Sequence, residues 1–231
     1  MKVYQRHIGD FAAAFKKLST SRPKQAFATP AQAIEERMKQ GIQADISTRG
    51  AWYNASFSKV GGRILGTRGE FNPLIDYAKQ ATEAMRTEEF YLEGVLIDRK
   101  PASQVLTEIA EEDAGKPIHK RRVADFGQTE THIVPTDCFA DDNIITFLAE
   151  SGARANKYGL WLRDKAGIQE SKVYMQNLVG KNKTRGFWLD RLGDGDWSVL
   201  VCSDRNLCDG DGSLFGVYES AKGTQKISGQ K

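Results

Sequence analysis

Gly159-Leu-Trp-Leu-Arg-Asp164 and Gly186-Phe-Trp-Leu-Asp-Arg191 are two near-copies of one line in the C-terminal third of the chain. Each opens on Gly, carries a Trp-Leu pair and closes on an Arg/Asp couple. Turn-rich segments of alternating polarity surround them, a pattern that predicts an antiparallel meander with strands at about 158–163, 171–179, 185–192, 196–202 and 213–219. Asp-Gly pairs at 194–195 and 209–210 suit the primed turns that join such strands.

Upstream of this region helix signals prevail. Asp10 caps a short amphipathic helix over about 9–19 with Phe11, Phe15 and Leu18 on one face. Thr29-Pro-Ala-Gln32 is a capping box with Pro in the first turn, and Gly41 stops the helix that follows. Ala51–Val60 reads as a strand. Asn72-Pro73 opens a helix with Leu74, Ile75, Ala78, Ala81 and Met85 inward, and Phe90–Asp98 reads as a central strand. Lys100-Pro101 turns into a helix with Val105, Leu106, Ile109 and Ala110 facing the core. The run Thr131–Phe139 reads as a strand or edge strand, because Pro135 lacks an N–H to donate to a ladder. Asp141 or Asp142 then caps a helix that Gly152 ends.

Helices in the first two-thirds and strands in the last third predict an α+β fold, with one mixed sheet and helices packed on it. We expect a single domain over residues 1–220, with a sub-boundary near 151–158 and a flexible tail at 221–231. The chain has 231 residues, is 40% hydrophobic and 27% charged, and contains six prolines, a composition that excludes a disordered chain. No run approaches about eighteen apolar residues, so no membrane span is expected. The N-terminus has no apolar signal-peptide segment, and Cys138, Cys202 and Cys208 are too few for a disulfide framework. A cytoplasmic protein with free thiols is the expectation.

Four constellations bear on chemistry. Asp137, Glu170 and Lys172 fit the Asp…Glu-x-Lys pattern of a metal-dependent nuclease. There, carboxylates on neighbouring strands hold Mg²⁺ or Mn²⁺ and the lysine helps activate water. The same pattern arises cheaply, as in Asp98-Arg-Lys100, and solvated strand-end charges are the commoner origin. Asp204–Ser213 has the alternating oxygens and glycines of a calcium loop. However, an EF-hand alignment puts Leu207 and Tyr218 at ligand positions, so a hairpin is the better reading. His119, His132, Cys138, Cys202 and Cys208 lack the local pairs that pre-organise zinc. Lys120, Arg121 and Arg122, with Lys116 and His119, form a basic run that could meet phosphates, with Trp52, Tyr53 and Phe57 as stacking partners.

Nucleotide-loop, dinucleotide and nucleophile-elbow motifs are absent, and only three histidines are present. Two readings follow. The favoured one is a binding protein that meets an unknown protein partner through its C-terminal β-rich region. Trp161 and Trp188 would be its anchors, Arg163, Asp164, Asp190 and Arg191 its rim, and it would need no cofactor. The alternative is a metal-dependent enzyme on nucleic acid that uses Asp137, Glu170 and Lys172. Between them lies weak nucleic-acid binding by Lys120–Arg122, at best roughly micromolar and sensitive to salt.

Overall fold

A computed structural model of the chain describes residues 2–80, 92, 94–175, 183–192, 199–202 and 212–220. The chain opens with β1 (Lys2–Ile8), α1 (Phe11–Ser19), β2 (Ala26–Phe27), α2 (Pro30–Gln40) and α3 (Asp45–Thr48). Next come β3 (Ala51–Val60), β4 (Arg63–Arg68), α4 (Pro73–Gln80), β5 (Leu96–Ile97), β6 (Lys100–Pro101) and α5 (Ala102–Asp113). The second half comprises β7 (Val123–Asp125), β8 (His132–Pro135), α6 (Asn143–Ala149), α7 (Gly152–Trp161), β9 (Glu170–Tyr174), β10 (Thr184–Leu189), β11 (Val199–Cys202) and β12 (Ser213–Glu219).

The main sheet has ten strands among the described residues, along the path β1-β12-β3-β10-β11-β9-β8. At its side β2 pairs with β12, and β4 joins β3 to β7. Strands from the two halves of the chain interleave, since β3 pairs antiparallel with β10 and β12 lies between β1 and β3. Inward residues of β3 alternate. Ala51, Tyr53, Ala55 and Phe57 pack on one face with α2, α6 and α7 residues such as Ile34, Phe147 and Tyr158. Trp52 packs on the other with Phe11, Leu74, Leu106 and Trp188.

Helix starts follow their local chemistry. Asp10 Oδ1 accepts from Ala13 N at 2.7 Å, and the Thr29/Gln32 box closes in both directions at 3.2 and 2.9 Å. Asn72 Oδ1 accepts from Leu74 N, and Asp142 Oδ1 from Ile145 N at 2.8 Å. The strands at β9–β12 also fall near their expected positions.

Four expectations are corrected. The stretch Gly159–Asp164 is helical, not a strand: α7 runs to Trp161 and continues through a π-helical turn over Leu162–Ala166. The reason lies upstream. Ser151 Oγ caps Arg154 N at 3.3 Å, and Ala155, Tyr158, Gly159 and Leu162 then recur at helical spacing and are buried. The C-terminal third is not a meander. β9 and β11 run parallel, and β10 pairs with β3 as well as β11. The described end of the expected central strand at 90–98 is instead β5, which pairs with β6 in a separate two-stranded ribbon. Asp98 and Arg99 make its turn at φ of 49° and 68°, and Leu96 is exposed. Gly152 opens α7, whereas left-handed Glu150 ends α6. Residues 81–91, positions 204–211 of the calcium-like stretch Asp204–Ser213, the expected Asp-Gly turn at 194–195 and the tail at 221–231 lie outside the described residues.

Candidate functional site

Of the two tryptophans expected to anchor a partner, Trp188 belongs to the core. It is 6% exposed, its ring meets Trp52 edge-on at 5.1 Å between centroids, and a Cβ added at Gly50 would lie 2.5 Å from it. Its twin Trp161 is half-buried at the end of α7. The similar lines therefore occupy different elements, and only one offers its indole at the surface.

Trp161 lines a cleft of about 370 Å³ between α2 and α7, together with Glu35, Met38, Lys39 and Lys157. Spacing builds it, because Glu35/Lys39 and Lys157/Trp161 are i,i+4 pairs on facing sides of their helices. The indole stacks on Tyr158, with rings 5.8 Å apart and 14° from parallel. Tyr158 is fixed from below: its hydroxyl accepts from Arg37 Nη1 at 3.3 Å. Arg37 is 1% exposed and also donates to the carbonyls of Ile46 at 2.8 Å and Asp190 at 2.6 Å. At one end Arg154 clamps Glu35, with Nη2 2.7 Å from Oε1. Lys39 pairs with Glu36 at 3.2 Å, and burial together with Glu36 and Glu35 pushes the nearby Tyr4 hydroxyl up to about 12. No ion pair is formed by Lys157 among the described residues.

The proposed nuclease triplet sits at the other edge of the sheet. β8 pairs antiparallel with β9, Pro135 opposite Glu170 and Ile133 opposite Lys172. Glu170 and Lys172 therefore share a side of β9, and Asp137 lies in the turn just past the end of β8. The Lys172 ammonium stands 5.0 Å over the Tyr174 ring, and Asp137 Oδ1 accepts from the Cys138 thiol at 3.6 Å. Among the described residues no three His, Cys, Asp or Glu side chains are grouped to hold a metal. Among the described residues the zinc candidates His119, His132 and Cys138 do not gather. His132 Nδ1–H donates to the Glu130 carbonyl at 2.9 Å, and its Nε2 lies 2.7 Å from Asp142 Oδ2.

The basic run is largely engaged with the end of α5. Arg121 folds back to donate to the carbonyls of Lys116 at 2.8 Å and Ala114 at 2.7 Å. Arg122 binds Asp113 through its backbone N–H at 2.6 Å and its guanidinium at 2.9 Å, and reaches Glu112 at 2.7 Å. Lys116 adds a second cation on Asp113 at 2.6 Å. Hydrogen bonds from Arg122, only partly opposed by burial, hold the Asp113 carboxyl well below the usual carboxylate range. Lys120 remains exposed. The expected stacking partners are core, since Trp52, Tyr53 and Phe57 are all 0% exposed. The rim residues lie near the surface, with Arg163 paired to Asp164 at 3.0 Å and Arg191 exposed.

Trp161, expected as a partner anchor on a strand, thus lines a helix–helix cleft with Glu35, Met38, Lys39 and Lys157, which the sequence reading did not single out. The readable signal was the i,i+4 spacing on two capped helices. It went unread because residues 158–163 were assigned to a strand.

No protein-family model and no curated protein matches the chain. A solved structure described as "Accommodation of massive sequence variation in Nanoarchaeota by the C-type lectin fold" does match, with a TM-score of 0.62. The match covers 94% of this chain and 97% of that one at 9% identity. Likeness of that extent at that identity shows a shared fold, the C-type lectin fold. No helix among the described residues is long and apolar enough to cross a membrane.

Proposed function

We propose that this chain is a binding protein that meets a macromolecular partner, a protein, through its C-terminal strands and the segments between them. The observation that carries this reading is the near-complete match to a C-type lectin fold at 9% identity. The matched structure is described as accommodating massive sequence variation, and here too the framework is kept while almost every side chain differs. A scaffold of this kind separates the buried residues that hold the sheet from the connecting segments that recognise a partner. In this chain β10, β11 and β12 lie in the interior of the sheet path, and their connections at 193–198 and 203–211 are rich in Asp, Gly and Asn. Recognition by them asks for no metal and no cofactor.

The test replaces residues 203–211 by a Gly/Ser linker of equal length. The variant is expected to keep the thermal midpoint of the parent within a few degrees and to lose its partner. The partner is first isolated with the intact chain and then shown to bind as a purified protein. Retained affinity in the linker variant would remove these segments from recognition. The same partner is expected to bind Asp137→Ala and Glu170→Ala with unchanged affinity.

A further inference from the structure

The cleft between α2 and α7 has the size and equipment of a small-molecule site, and nothing in the partner-binding reading uses it. Its volume of about 370 Å³ falls at the lower end of the range for ligand sites, roughly 300–1,000 Å³. A macromolecular anchor or a single small ring system fills such a space; an extended chain does not.

Its chemistry narrows the occupant. Trp161 lines the cleft with a flat apolar ring held in place, because Tyr158 stacks on it and the buried Arg37 holds the Tyr158 hydroxyl. A platform already held in place loses little freedom when a ring stacks on it. Met38 adds a polarisable thioether to the opposite wall. The charges are unequal. Glu35 is neutralised by Arg154 and Lys39 by Glu36, which leaves Lys157 as the lining charge with no ion-pair partner among the described residues. Lys157 is exposed and lies one helical turn before Trp161, so a group stacked on the indole places its edge near the ammonium. The π-helical turn at Leu162–Ala166 begins immediately after Trp161, and such turns frequently accompany functional sites.

We propose that this cleft binds a small planar aromatic anion, its ring stacked on Trp161 between Met38 and the helix wall and its acidic group met by Lys157. The anion is either a carboxylate or a phosphate monoester; both offer negative charge to the same lysine. This inference stands apart from the proposed partner surface and does not depend on it.

The experiment is a calorimetric titration of the full chain at low salt with 2-naphthoate and with AMP. Controls are adenosine, inorganic phosphate and maltose. At least one of the two aromatic anions is expected to bind with a Kd of roughly 0.1–1 mM, the range for a ligand of this size. The tighter of the two identifies carboxylate or phosphate monoester as the source. Adenosine, phosphate and maltose are each expected to bind about tenfold more weakly or not at all. Trp161→Leu is expected to lose about tenfold or more, as removal of a stacking platform does. Lys157→Gln, on the exposed face and harmless to the fold, is expected to lose roughly threefold to tenfold. Lys157→Gln also decides the matter if Trp161→Leu does not fold. The proposal is overturned if neither aromatic anion binds, if adenosine binds as well as AMP, if maltose binds more tightly than both, or if Lys157→Gln leaves binding unchanged.

Discussion

Arg37 and Tyr158 are 121 positions apart in sequence, yet the guanidinium of the first donates to the hydroxyl of the second in the interior, at 3.3 Å. The same guanidinium holds Ile46 O and Asp190 O, so one buried cation ties α2, α3, α7 and the end of β10 together. Every acceptor is neutral. The cation is therefore held by hydrogen-bond number and geometry, with no opposing charge among these partners.

Replacing Arg37 by Met removes three donors and leaves two buried acceptors and one part-buried acceptor without them, so a loss of roughly 3 kcal/mol is expected. Arg37→Lys is expected to recover only part of this, because a single ammonium cannot reach three divergent oxygens as a planar fork does. Urea denaturation of the three proteins measures both differences. Equal stability of Arg37→Met and the parent would show that the acceptors find other donors.

Two glycines on α7 are expected to respond oppositely. A Cβ at Gly159 would collide with the carbonyl oxygen of Thr136, a backbone atom that cannot swing away. Gly159→Ala should therefore cost at least about 2 kcal/mol or prevent folding, because α7 must move off the turn that follows β8. Gly152 has open space around its Cβ position and sits in the first helical turn. Gly152→Ala should be neutral or stabilising by up to about 1 kcal/mol, since it narrows the unfolded ensemble. Thermal midpoints of the pair give the answer directly.

The Asp113 cluster makes an acid-side prediction. Its carboxyl is held below the unfolded value near 3.9, first by hydrogen bonds from Arg122. A depressed pKa adds stability that is fully present above about pH 5 and is lost as pH falls through the acid range. Asp113→Asn is expected to cost about 1–2 kcal/mol at neutral pH, a figure reduced for the solvent around Arg122, and to flatten the acid limb. Arg121→Ala/Arg122→Ala should destabilise comparably, whereas Lys120→Ala should be nearly silent. Affinity of the parent for a labelled oligonucleotide at low salt is expected to be no tighter than micromolar. Tight binding that disappears in the double variant would return these residues to a phosphate-contacting role.

His132 acts at the other end of the scale. Burial works against its charged form, but the Glu130 carbonyl and the Asp142 carboxylate outweigh it and raise the ring above its ordinary value. A raised pKa adds stability below the unfolded value near 6.5 and loses it as pH rises through the folded value. The gain is at most about 1 kcal/mol, since the ring is partly in solvent. His132→Gln should remove the decline in stability between pH 6 and pH 8 that the parent shows in urea midpoints. A decline of the same size in the variant would assign it to another group.

The amino-acid order by itself determined the features that close within a few residues. Asp10, Thr29 with Gln32, Asn72 and Asp142 cap their helices because each side chain meets an N–H two or three positions on. The α+β class, the strand at Ala51–Val60, the edge position of β8 before Pro135 and the strands near β10 and β12 were legible for the same reason: period and turn chemistry are local. Tertiary structure alone decided the rest. The line Gly159–Asp164 read by itself suits a strand or a helix; the Ser151 cap and the spacing of Ala155, Tyr158 and Leu162 favour helix, and Gly159 then lets α7 close on Thr136, a contact across more than twenty residues. Strand order was likewise closed to sequence reading, since backbone hydrogen bonds carry no side-chain signature and β10 pairs with β3 rather than completing a meander. The same holds for surface and core. Trp188 and Trp161 stand in similar lines, and only the packing of Trp52 and Gly50 around one, and of Tyr158 against the other, made the first a core residue and the second a platform at the surface.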